Sequence, residues 1–201
     1  EKIYQFPRVA TLIHKKNSIP IIGGRKVFLK SAAAEVAWYL SGIKDCQELN
    51  TFTSMWKPWQ KNNKVEAAYG YRWINYFNIN QIQIAIENLI KDTSSRRIWV
   101  NTWAPKEDTN PKMLNVPCPV GFNLNIINNK LNMQVVMRSS DLAIGLIYDT
   151  ISFRLLQQII SNTLQKPIGD IEFVLLNAHL YATHKPVVST LLKDSMLNLE
   201  L

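Results

Sequence analysis

The sequence predicts an α+β fold, a mixed or mainly antiparallel β-sheet packed with helices in a single domain. Three observations carry this reading. Two strand-like runs, Val120 to Ile127 and Leu131 to Met137, meet at Asn128-Asn129, and asparagine tolerates the left-handed geometry of a tight hairpin. Three other segments show helical periodicity, around Leu29 to Leu40, Ile82 to Ile90 and Ile151 to Ile160. The chain has 201 residues and is 47% apolar, enough for one domain, or at most two, with a full core.

Taken in order, Lys2 to Val9 and Ile19 to Ile22 have strand composition, with Lys15 to Ser18 as a polar turn and Gly23-Gly24 as a break. From Phe28 to Leu40, Leu29, Ala32, Ala33, Val36, Ala37 and Leu40 share one helix face. Glu35 falls beside that stripe, as a helix-edge charge or as a partly buried acid with a raised pKa. Cys46 to Leu49 suits a short helix. Trp56 and Trp59 flank Pro58, either as packing or as a surface for a flat ligand. Tyr69 to Trp73 is a compact aromatic segment. Ile82, Ala85, Ile86, Leu89 and Ile90 mark a helix ending near Asp92, and Ile98 to Trp103 reads as a strand. Asp108 to Met113, a polar loop carrying Pro111, is the candidate mobile segment. After the hairpin comes the longest helix, Asp149 to Leu164, with Asp149 placed as its N-cap. Ile171 to Leu176 reads as an apolar strand and Val187 to Leu192 as a final short helix.

Composition narrows the function. No apolar run approaches the roughly 18 residues of a membrane span, and no charged-then-apolar leader opens the chain. The first residue is Glu1 instead of Met, which points to N-terminal sequence missing here. Two cysteines, Cys46 and Cys118, are too few for a disulfide framework and match no zinc spacing, so a reducing cytoplasm is the expected setting. The net charge of +8 favours anionic partners, although the basic residues are scattered and a generic basic surface is an equal reading.

The chemistry concentrates between Asn115 and Asp149. Pro117-Cys118-Pro119 cannot sit inside a regular ladder, so the thiol belongs at a strand end. The hairpin can return Arg138 toward Cys118, and an adjacent arginine favours thiolate; the alternative is an inert, buried cysteine. Arg138-Ser139-Ser140 offers a guanidinium fork and hydroxyls suited to phosphate, or a strand-end salt bridge with Asp141. Arg96-Arg97 is a second anion clamp or a surface pair. His179 and Tyr181 point the same way on an extended segment, to hold a sugar hydroxyl or to cover the core.

Together these motifs resemble thymidylate synthase and its relatives, the pyrimidine-nucleotide hydroxymethylases. The resemblance runs from Ile19 to His184. It includes Ile19-Pro20 with Arg25-Lys26, Leu29-Lys30-Ser31 with Glu35 and Trp38, Trp56 and Trp59, and Tyr69-Gly70. It continues through Ser95-Arg96-Arg97, Pro117-Cys118, Arg138-Ser139 with Asp141, Gly145, and His179-Leu180-Tyr181 with His184. It implies one thymidylate-synthase-like domain over residues 1–201, with the N-terminal phosphate loop and the C-terminal tail missing.

The resemblance also implies roles. Cys118 adds to C6 of a pyrimidine deoxynucleoside monophosphate, and C5 then takes a one-carbon unit from 5,10-methylenetetrahydrofolate. Glu35 manages protons through ordered water, with Tyr69 also catalytic. Arg138, Ser139 and Ser140 hold the 5′-phosphate, while Arg96 and Arg97 reach into the site of a homodimer partner. His179 and Tyr181 bind the sugar, and Asn123 joins the substrate contacts. Trp56, Trp59, Asp141 and Gly145 face the folate, with Arg25 meeting its glutamate tail. No metal, membrane contact or direct nucleic-acid binding is implied.

Four positions depart from thymidylate synthase. The base-reading asparagine is Asp149, the histidine after the nucleophile is Pro119, a proline is replaced by Ile147 and an aspartate by Asn177. Asp149 is the informative one. Uracil presents an N3–H donor and an O4 acceptor, which an amide matches. Cytosine presents an N3 acceptor and a 4-amino donor, which a carboxylic acid matches. Asp at this position is similar to the deoxycytidylate hydroxymethylases of bacterial viruses, so the expected substrate is dCMP and the expected product its 5-hydroxymethyl derivative. The alternatives are a dUMP-directed thymidylate synthase or hydroxymethylase, and a non-catalytic nucleic-acid-binding protein.

Overall fold

The computed structural model describes residues 2–6, 8–15, 17–22, 26–191 and 196–200. Arg25 and Gly23-Gly24 lie outside the described residues. In chain order the elements begin with β1 (Ile3–Gln5), β2 (Ala10–His14), β3 (Ser18–Ile22) and α1 (Leu29–Ser41). After 3₁₀ turns at Leu49–Thr51 and Lys57–Trp59 come α2 (Tyr69–Tyr71), a π-helical turn at Arg72–Tyr76, α3 (Gln81–Lys91), β4 (Trp99–Asn101) and α4 (Pro105–Asp108). The second half holds β5 (Pro119–Ile127), β6 (Lys130–Met137), β7 (Ser140–Asp141), α5 (Gly145–Thr163), β8 (Ile168–Leu175), β9 (Ala178–Tyr181), α6 (Lys185–Leu191) and β10 (Met196–Glu200).

The central sheet has the order β2-β8-β6-β5-β4, antiparallel except for the β6–β8 pair, so the mixed α+β expectation holds. Two small sheets, β1-β9-β7 and β10-β3, accompany it. The hairpin turns at Asn128 and Asn129, both at positive φ (51° and 62°), as the sequence predicts. On the inner face of the sheet, Phe122, Leu124, Leu131, Met133, Val135, Ile171 and Phe173 are buried, and α5 lays Phe153, Leu156 and Ile160 against them. This period-2 burial of neighbouring strands fixes the register, because a one-residue slip would turn these side chains to solvent.

A second layer joins α1 to the aromatic segment. Trp38, Tyr39, Trp56, Tyr69 and Trp73 contact one another with ring centroids between 5.2 and 6.5 Å. Gly70 makes this approach possible: a Cβ there would fall 1.8 Å from the Tyr39 carbonyl oxygen. At the end of α1, Gly42 takes the left-handed C-cap (φ 66°).

Several expectations change. β2 extends from Ala10 to His14, beyond the predicted first strand, because its inward residues Ala10, Leu12 and His14 alternate with Thr11 and Ile13. The helix expected at Cys46 forms later, as the turn at Leu49–Thr51, with Cys46 buried before it. The predicted mobile loop starts on a fixed point. Asp108 ends α4, is buried, accepts from the Arg72 guanidinium at 2.9 Å and from the Ala104 N–H at 2.7 Å. Removing one member of a buried pair strands the other charge, at a cost of about 3–5 kcal/mol. Asp108→Ala is therefore expected to destabilise the fold by about that amount, read from urea denaturation. Finally, α5 begins at Gly145, so Asp149 lies one turn inside the helix and is not its cap. The N-cap is Ile144, which makes no side-chain bond, and the helix starts where the chain leaves β7.

Candidate active site

Several elements end around one cleft of about 610 Å³. α1 contributes Glu35 and Tyr39, and the turn after it Trp56 and Trp59. α2 contributes Tyr69, the segment before β5 Leu114, Asn115, Val116 and Cys118, and the β6–β7 turn Arg138 and Ser139. Asp141, Gly145, Tyr148 and Asp149 come from β7 and α5, and His179 and Tyr181 from β9. Residues far apart in sequence thus converge because α5 packs against both α1 and β6.

Cys118 sits at the entry to β5, as the flanking prolines require. Its carbonyl accepts from the Arg138 N–H at 2.7 Å, while Arg138 Nε donates to the Pro117 carbonyl at 3.3 Å. The hairpin therefore does return Arg138 to the cysteine. Its effect on the thiol is outweighed, however. Burial and the nearby Asp149 push the Cys118 pKa up to about 11, against the smaller opposing influences of the Tyr69 hydroxyl and Arg138. The expectation of a resting thiolate is thus corrected: the free site holds a thiol.

The carboxyl groups behave alike. Glu35 is buried at 6% exposure and saturated with donors: Trp56 Nε1 at 2.6 Å, Ser152 Oγ at 2.7 Å, and the Tyr39 hydroxyl. Desolvation still raises its pKa, the three bonds only moderating the rise. Asp149 is driven further, well above the usual carboxylate range, by burial and then by the adjacent Glu35 and Asp141. It keeps limited solvent contact through the cleft. The raised pKa favours the carboxylic acid form, which has both an O–H donor and a C=O acceptor.

Linkage gives a test. The unfolded chain releases the Asp149 and Glu35 protons near pH 4, whereas the native state retains them, so stability falls as pH rises from there toward the native pKa values. Asp149→Asn removes one of these protons from the balance. Thermal melts should show a higher Tm at pH 8 and little change at pH 3.5.

Most predicted residues meet in the cleft: Cys118, Glu35, Tyr69, Asp149, Arg138, Ser139, His179, Tyr181, Trp56, Trp59, Asp141 and Gly145 all line it. His179 and Tyr181 stand edge to face at 5.2 Å. Asp141 Oδ1 lies 3.4 Å from His184 Nδ1. Others lie elsewhere. Ser140 is buried in β7 and does not line the cleft. Asn123 faces outward from β5, its Nδ2 donating to the Ile98 carbonyl at 2.6 Å. Arg96 and Arg97 are exposed ahead of β4. Sequence reading missed Tyr39 and Ser152, which both donate to Glu35. Helical spacing could have found them, since Tyr39 follows Glu35 by four residues and Ser152 follows Asp149 by three.

Comparison with known proteins agrees with this geometry. The family model for thymidylate synthase matches residues 2–200. The thymidylate synthase of Wigglesworthia glossinidia brevipalpis is 34% identical over 180 residues, covering 86% of this chain and 67% of that protein. The chain belongs to the thymidylate synthase family, whose reaction is folate-dependent one-carbon transfer to C5 of a pyrimidine nucleotide and whose co-substrate is 5,10-methylenetetrahydrofolate.

Proposed function

We propose that this protein hydroxymethylates dCMP at C5, with methylenetetrahydrofolate as the one-carbon source and water as the oxygen source. The observation that carries the reading is the placement of Asp149: an acid stands in the same cleft as Cys118, where burial raises its pKa well above the usual carboxylate range and so favours its neutral form. Cytosine N3 is a basic ring nitrogen and the 4-amino group a donor, so an O–H and a C=O side by side match them. Uracil O4 is a much weaker proton acceptor, and an ionised carboxylate would oppose it outright.

In this reading Arg138 and Ser139 hold the 5′-phosphate, and His179 and Tyr181 hold the sugar. Cys118 Sγ bonds to C6, sending an electron pair to C5, which takes the one-carbon unit that folate supplies when bound. The Tyr69 hydroxyl bonds both the backbone and the side chain of Cys118 and so fixes the sulfur. Glu35, held by three donors near Asp149, manages protons in the site through ordered water. The cleft suits the folate: Trp56, Trp59, Met55, Leu114 and Ile144 give it an apolar, aromatic wall for a planar ring, with Asp141 as a polar neighbour.

The active unit in this reading is a homodimer. The outer face of the central sheet carries Ile13, Val136, Val174 and Trp99 among polar residues, with Arg96 and Arg97 beside it. A monomeric sedimentation profile of the active protein would remove this part of the reading. No helix among the described residues is long and apolar enough to cross a membrane.

Tritium release from C5 tests the substrate. Release from labelled dCMP, with 5-hydroxymethyl-dCMP as product by mass, is the expected result. Release from dUMP instead would favour thymidylate synthesis, the activity named for the 34% identical relative.

A further inference from the structure

One polar group in the cleft is not used by the mechanism above. Asn115 is 7% exposed, lines the cleft with Cys118, and its Oδ1 has no hydrogen-bond partner. A buried carbonyl oxygen left without a donor is unfavourable, and such groups are rare in folded proteins. Other polar groups of the cleft have hydrogen-bond partners within the fold: Glu35 accepts from Trp56 and Ser152, Asp141 from the Ala143 N–H, and Arg138 Nε donates to the Pro117 carbonyl.

The surroundings make the carboxamide conspicuous. Leu114, Val116 and Pro117 flank it in sequence, and Leu114, Val116, Ile144 and Trp56 share the cleft wall. An apolar wall repels water, whereas a single amide within it can hold one molecule by both lone pair and N–H. A half-turn about χ2 exchanges its oxygen and nitrogen at almost constant shape, so either end can face the cleft. The position also fits the chemistry. Asn115 is three residues before the nucleophile, and the carbon to be hydroxylated is attached to C5, the atom next to the sulfur-bearing C6.

We propose that Asn115 is a specificity-determining residue that holds the attacking water against the exocyclic carbon and so favours hydroxymethyl over methyl product. This rests on the dCMP hydroxymethylation reading. Once folate has left, the ring carries an exocyclic C5=CH2 and the Cys118 S–C6 bond. The water oxygen bonds to the CH2 carbon, the π pair moves to C5 and re-forms C5=C6, and the S–C6 pair leaves on Cys118. The water proton ends on that sulfur, and no oxidant or reductant is consumed.

The test measures coupling. With labelled dCMP and methylenetetrahydrofolate, 5-hydroxymethyl-dCMP formed is divided by tritium released, for the wild type and for Asn115→Leu. Tritium reports loss of the C5 proton, before water enters, and the product reports water attack. Asn115→Leu is expected to lower the ratio at least tenfold, with the missing turnover appearing as a pyrimidine adduct on Cys118, or as methylated nucleotide where tetrahydrofolate stays bound and gives the exocyclic carbon a hydride. Asn115→Asp keeps the shape and an acceptor and is expected to restore most of the ratio. Should Asn115→Leu fail to fold, Asn115→Ser and Asn115→Asp provide the comparison, with serine the weaker coupler. Equal ratios in wild type and folded variants would overturn the role of Asn115 alone. A wild type that releases tritium from dCMP without any hydroxymethyl product would overturn the underlying reading as well.

Discussion

Asp149→Asn is expected to reverse the base preference, lowering kcat/KM for dCMP and raising it for dUMP. A paired donor and acceptor on a base edge discriminates by about 1–3 kcal/mol against the wrong base. Loss on one substrate and gain on the other combine, so the dCMP:dUMP ratio should fall by roughly 10²-fold or more. The reason is acid–base matching. The wild-type acid offers a proton to a basic ring nitrogen, whereas an amide offers only a weak N–H donor there. Against uracil the amide supplies both complements without any ionisable proton. Asp149 lies on the first turns of α5 with the carboxyl groups of Glu35 and Asp141 as neighbours, so its ionisation, and hence this preference, depends on them. Steady-state kinetics with both nucleotides checks the prediction. An unchanged ratio would remove Asp149 from base reading.

Cys118→Ser is expected to be the most damaging single change, lowering turnover by about 10⁴-fold or more while dCMP still binds. A serine hydroxyl in the same place is a far poorer nucleophile, and this site gives it little help. The groups acting favourably on Cys118 are the Tyr69 hydroxyl and Arg138, and burial already outweighs them for the more acidic thiol. Phosphate contacts through Arg138 and Ser139 do not involve the sulfur, so nucleotide affinity should change by only a few-fold. Single-turnover assays and equilibrium binding separate the two effects. Retained turnover would mean that the chemistry does not pass through this residue.

Local pattern explains what could be read from the chain. The β5–β6 hairpin was legible because Asn128 and Asn129 carry the turn geometry and the flanking runs alternate. α1 and α3 were legible from apolar spacing, and Cys118 from its prolines. What stayed hidden depends on distant partners. Asp108 looks like part of a polar loop until Arg72, 36 residues earlier, is seen beside it. The resting thiol at Cys118 could not be read either, because burial is a property of the whole fold. A neighbouring arginine suggested the opposite. Asp149 looked like a cap because aspartate favours helix starts, yet the helix begins at Gly145, leaving the acid free to face the cleft. Asn123, which the family resemblance places among the substrate contacts, lies on the outer sheet face, because β5 turns Phe122 and Leu124 inward on either side of it.

The central claim is that Cys118 bonds to a pyrimidine whose edge is read by Asp149, and trapping the covalent complex tests it most directly. A fluorine at C5 cannot leave as a proton does, so the sulfur-bound adduct accumulates. Peptide mass spectrometry after incubation with methylenetetrahydrofolate and 5-fluoro-dCMP should find nucleotide and folate on the Cys118 peptide, with far less trapping by 5-fluoro-dUMP. Trapping by 5-fluoro-dUMP alone, or an adduct on any other residue, would contradict the account.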